Sequence, residues 1–107
     1  MTTSTPTSRY NVRERFRHLA AKWKVESQHM SNVAQMAMLP AYQQIIGMGE
    51  PAVPLLLEEL CREPHHWFWA LEAITQQNPV PGDAAGKVRL MAQAWVEWGV
   101  REGYITA

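Results

Sequence analysis

Apolar positions recur along the chain at helical spacing. Val12, Phe16, Leu19 and Trp23 lie four, three and four residues apart, a period that places them along one side of a helix. Asn11, with Glu14 three residues on, predicts an N-cap and capping box at its start. A second helical stretch is expected from about Ser31, where Pro40 must either begin a new helix or kink an existing one. Tyr42, Ile45 and Ile46 supply its inner face, and Gly47 or Gly49 suits a left-handed termination. Pro51 fits the first turn of the next helix. Pro54 lies near the limit of that tolerance, and Leu55, Leu56, Leu57 and Leu60 form a broad apolar face beyond it.

Pro64 restarts the chain, predicting a short helix to about Thr75, and the proline and glycine of "QQNPVPGD" predict a loop after it. Asp83 is the expected cap of a last helix from Ala84 or Lys87 through Glu102. Its inward stripe is Val88, Met91, Ala92, Trp95 and Gly99, with Gly103 just past its end. No stretch alternates with period two as a strand does. The expected fold is all-α, a compact bundle of about five helices. Residues 1–8, "MTTSTPTS", are expected to form a flexible tail, and residues 9–107 a single helical domain.

One stretch resists a single amphipathic pattern. In "HHWFWAL", Trp67, Phe68 and Trp69 are consecutive, and steps of about 100° per residue keep one buried face from holding all three. With Trp67 at the centre, Leu71 and Ile74 fall within roughly 40° and define the core side, while Trp69 falls at about 200°. His65 and Glu72 fall on the side of Trp69. Trp69 is therefore either covered by the helix carrying Trp95 and Trp98 or left exposed as a contact residue.

Composition sets the scale. The chain has 107 residues, 47% hydrophobic and 19% charged, enough for a modest core and too few for a second full domain. Its apolar runs are far shorter than a membrane span needs, so no membrane partner is expected. The N-terminus lacks the apolar segment of a secretory signal, although "MTTSTPTSR" before several arginines faintly resembles an organellar transit peptide; Glu14 and Trp23 favour a folded helix. The single cysteine, Cys61, excludes an internal disulfide and a paired-cysteine zinc site, and the expected location is a reducing cytoplasm.

Charge sums to zero but is unevenly placed. Residues 1–26 hold six Lys/Arg against two Glu, and residues 27–107 hold four Lys/Arg against eight Asp/Glu, so the first helix is basic and the remainder acidic. A solvated helix face explains most of this. Arg13, Arg17 and Lys24 at helical spacing can also track phosphates, which makes a weak nucleic-acid contact the third reading. Six methionines, four of them before and around "IIGMG", suit either an adaptable surface or gap filling. "GMGEP" lacks the lysine and Ser/Thr of a phosphate-binding loop.

The segment "GEPAVPLLLEELCREPHHWFWALEAI" resembles a HEAT-type helical repeat. In that pattern Ala52, Leu56 and Leu60 match the core of the first helix, and Ala70, Ala73 and Ile74 that of the second. A longer set, "YQQIIGMGEPAVPLLLEEL", "HHWFWALEAIT" and "AQAWVEWGVREGY", is similar in order to a family of small uncharacterised bacterial proteins. The HEAT resemblance implies a protein-binding surface and no activity. About three repeats are usually needed for stability, so flanking helices are expected to cap the one recognised here.

The favoured expectation is a non-enzymatic interaction module that presents a helical face to an unidentified protein partner or to a second copy. Trp69, His65 and Glu72 are its contact residues, with no cofactor and no metal. The rival is a small metal-dependent or hydrolytic enzyme using His65, Glu72 and Cys61. It is disfavoured because Pro64 interrupts the register between Cys61 and His65, and no metal-ligand spacing is present.

Overall fold

In the computed structural model, which describes residues 9–106, the described residues form six α-helices and two 3-10 turns and no strand. The all-α expectation is met. Contacts divide the chain at Ala52/Val53 into two compact units, each described by itself. The expected N-terminal tail lies outside the described residues.

The first unit contains α1 (Arg9–Ser27), α2 (Val33–Ala37), α3 (Pro40–Met48) and a 3-10 turn, Glu50–Ala52. The predicted stripe of α1 turns inward: Phe16, Leu19 and Trp23 are buried, joined by Ala20 and Ser27. Because α1 begins at Arg9, Asn11 stands inside the helix and not at its cap. Trp23 ties the unit together. Its ring packs against Tyr42 with centroids 5.3 Å apart, and its Nε1–H donates to the Met36 carbonyl at 2.8 Å. The indole thus holds both α2 and α3 against α1. Asn32 caps α2 by accepting from the Gln35 amide at 3.0 Å, and Pro40 opens α3 at a position that needs no amide hydrogen. Gly49 ends that helix at φ +74°, a region that side-chain-bearing residues rarely enter.

The second unit contains α4 (Val53–Arg62), α5 (Phe68–Thr75), a 3-10 turn at Gly82–Ala84, and α6 (Val88–Arg101). α4 packs against both α5 and α6 and buries Leu55, Leu56, Leu57 and Leu60 as its leucine pattern predicts. It also buries Glu59, whose carboxylate accepts from the Arg62 guanidinium at 2.5 Å. Gly99 of α6 supplies a close approach: a Cβ there would lie 2.5 Å from Leu57 Cδ1 and 3.3 Å from Ile105 Cγ1. Glycine at this point lets Leu57 reach the α6 backbone.

α6 ends in a Schellman motif. Gly103 has φ +83°, the Gly103 amide donates to the Val100 carbonyl at 3.2 Å, and the Tyr104 amide to the Gly99 carbonyl at 2.9 Å. The returning chain stacks Tyr104 on Trp98 at 5.3 Å, and Trp98 meets Trp95 edge to face at 5.2 Å. Asp83 does not cap α6. It falls in the preceding 3-10 turn, and Lys87 stands at the cap without a side-chain hydrogen bond.

Candidate functional site

The tryptophan-rich segment enters its helix later than the proline predicts. Glu63 to Trp67 are not helical, and α5 begins at Phe68. A tight turn replaces the expected first turn: the Trp67 amide donates to the His65 carbonyl at 2.8 Å, and the His66 amide to His65 Nδ1 at 3.1 Å. The two imidazoles then meet nearly edge to face, 5.8 Å apart. His65 is half-buried, and its Nδ1 accepts within its own turn. Its expected position on the Trp69 side rested on helical periodicity, and that periodicity does not extend to it.

From Trp67 onward the angular reading describes the burial of Trp67 and Leu71 and the exposure of Trp69, but not the burial of Phe68 or the partial exposure of Ile74. The Leu71 amide donates to the Trp67 carbonyl at 3.1 Å, which continues the helical ladder back to Trp67 and places the two side chains on one face. Both are 0% exposed. Phe68, about 100° around the helix from Trp67, is 8% exposed, Ala70 is fully buried, and Ile74, expected on the core side, is half-buried like Thr75. Trp69 is 47% exposed.

Glu72 follows Trp69 by three residues, a spacing that makes helix side chains neighbours on the surface, about 5–6 Å apart at Cβ. It too is exposed. Among the described residues the Glu72 carboxylate meets no hydrogen-bond or ion-pair partner, and neither does the Trp69 indole N–H. The pair is an apolar face with a donor edge beside an unneutralised anion. Of the three expected contact residues, the structure therefore puts two on one open helical surface and the third in the turn before it.

The other proposed constellations distribute differently. Cys61 is exposed on α4, where with Glu58, Arg62, Tyr104, Ile105 and Thr106 it lines an open depression of about 520 Å³. Neither His65 nor Glu72 lines it, so the three groups of the hydrolytic reading do not share that depression. No group of three His, Cys, Asp or Glu side chains among the described residues is placed to hold a metal ion. The depression is a feature that the linear pattern conceals, since it joins the end of α4 to the return after α6.

In the first unit, Arg13 and Arg17 are exposed on α1 and Lys24 is half-buried. Arg13 and Lys24 are already engaged within the chain. No helix among the described residues is long and apolar enough to cross a membrane. The chain matches no family model, no curated protein and no solved structure.

Proposed function

We propose that the chain is a non-enzymatic protein-interaction module that uses the outer face of α5, with Trp69 at the centre of the contact and Glu72 beside it. The observation that carries this reading is the exposure of Trp69 among buried neighbours. Trp23, Trp67 and Trp95 are 0% exposed and Trp98 is 7% exposed, against 47% for Trp69. Tryptophan is enriched among the few residues that dominate binding energy, because a rigid, broad ring removes much apolar surface from water at a small entropic cost. α5 is anchored for this use by Trp67, Phe68 and Leu71 behind it, so a partner meets a preformed face. His65 contributes by fixing the turn that launches the helix, and it reaches a partner only at the edge of the contact.

The HEAT-like pattern in about residues 49–75 supports this use. Ala52, Leu56, Leu60 and Ala70 are buried, while Ala73 and Ile74 are half-buried. A reducing cytoplasm suits a chain whose one cysteine is an exposed free thiol. The test is to compare wild type and Trp69→Ala for both thermal midpoint and association with partners in an extract of the native cell. The reading expects association to fall at least tenfold with the fold retained. Unchanged association together with a lowered midpoint would assign Trp69 to stability alone.

A further inference from the structure

The α5 surface also carries information about what it accepts. Between Pro64 and Gly82, Glu72 is the only charged side chain, so its own segment offers no cation to neutralise it. The second unit as a whole holds Arg62, Lys87, Arg89 and Arg101 against Glu58, Glu59, Glu63, Glu72, Asp83, Glu97 and Glu102, and one of the four cations, Arg62, is bound to buried Glu59. The unit therefore carries a formal excess of three negative charges, which favours cations over anions as its partners. Trp69 adds the aromatic face to which a guanidinium or ammonium group binds best. It stands three residues from the carboxylate, close enough for one planar cation to lie over the ring and still reach an oxygen.

We propose that the Trp69–Glu72 pair receives an arginine side chain from an extended or helical segment of a different polypeptide. This rests on the interaction reading above and names the chemistry of its partner. Arginine is favoured over lysine because its plane stacks on the indole while its N–H edge pairs with the carboxylate in two parallel hydrogen bonds. A purely apolar partner leaves Glu72 desolvated without compensation, and an acidic one faces a like charge.

The probe is N-acetyl-arginine amide, titrated into the full ¹⁵N-labelled chain at low salt. Each of the five tryptophans contributes one indole N–H signal, and that of Trp69 is identified by its loss in Trp69→Phe. The expected result is a saturable shift of the Trp69 indole signal, with the four other indoles still. Affinity should weaken about threefold in Glu72→Gln, the size of an exposed ion pair, and should fall with added salt. N-acetyl-leucine amide and N-acetyl-glutamine amide should leave the signal in place. Equal shifts with the leucine or glutamine probe, or an arginine affinity indifferent to Glu72→Gln, would overturn the arginine assignment while leaving a partner at Trp69 intact. Concentration-dependent self-association of the chain that disappears in Glu72→Gln would transfer the surface to a second copy and overturn the assignment to a different polypeptide.

Discussion

Replacing glycine by alanine should have opposite effects at two helical positions of this chain. In α3, a Cβ at Gly47 meets nothing within 4 Å, so Gly47→Ala only restricts the unfolded chain and improves helix propensity, a gain of about 0.5–1 kcal/mol. Gly99→Ala in α6 receives the same gain, but its methyl would stand 2.5 Å from Leu57 Cδ1. Leu57 is 0% exposed, so it cannot swing into solvent and must strain its rotamer or push α4 away. Such overpacking costs about 1–3 kcal/mol, which leaves a net loss of about 1 kcal/mol after the propensity gain. For a chain of this size that lowers the thermal midpoint by about 4–8 °C, read by circular dichroism at 222 nm and by urea titration. Leu57→Val removes the δ-carbons and should relieve the clash, so Gly99→Ala in that background becomes neutral or stabilising, a coupling that a double-mutant cycle isolates. A rise in midpoint for Gly99→Ala in the wild-type background, equal to that of Gly47→Ala, would refute the close approach of α4 and α6.

The tryptophans divide by environment in a way that fluorescence can read. Trp69→Phe should remove most of the iodide-quenchable emission and blue-shift the remainder, since the other four indoles are buried; quenching that persists undiminished would place the accessible ring elsewhere. Trp67→Ala empties a fully buried site behind α5 and should cost about 3–5 kcal/mol, measured by urea unfolding, whereas Trp69→Phe should change stability by less than about 1 kcal/mol. Trp23→Phe keeps most of the ring volume but removes the indole N–H that reaches the Met36 carbonyl at 2.8 Å, and because the Leu39 amide still donates to that carbonyl at 3.4 Å the loss should be that of one hydrogen bond, about 0.5–1.5 kcal/mol; a variant as stable as wild type would mean the indole bond adds nothing to the fold.

Much of the fold was legible because burial follows period. The α1 stripe, the leucine face of α4, the start of α3 at Pro40 and the turn at Gly103 all reflect local rules, and each lies where those rules put it; Gly49 also ends its helix at positive φ, but with ψ −152° in place of the left-handed helical value. Helix starts were less legible. Asn11, Asp83 and Pro64 are all residues that favour beginnings, yet α1 starts before Asn11, α6 after Asp83 and α5 four residues after Pro64. A starting residue marks where a helix can begin, while packing decides where it does. At α5 the decision goes to the His65–Trp67 turn, whose hydrogen bonds satisfy the backbone without a helical turn.

The candidate site was legible in part for the same reason. Periodicity places Trp69 opposite Trp67, but whether another element covers it depends on tertiary packing, which no local pattern contains. The helical period that puts His65 beside Trp69 does not reach it, because α5 begins at Phe68. The burial of Glu59 next to exposed Glu58 has a sequence signal, an acidic residue three before Arg62, a spacing that lets the guanidinium of an exposed arginine reach back to the buried carboxylate.

The central claim is that the outer face of α5 meets another protein. A photo-crosslinking residue, p-benzoylphenylalanine, at half-buried Ala73, one turn on from Trp69 in α5, samples that face in the native cell with the indole kept, and the same residue at exposed Gln93 on α6 is the control. A discrete crosslinked product from position 73, absent from position 93 and lost when Trp69 is changed to Ala, is the predicted outcome. No product from position 73, or the same products from both positions, would contradict it.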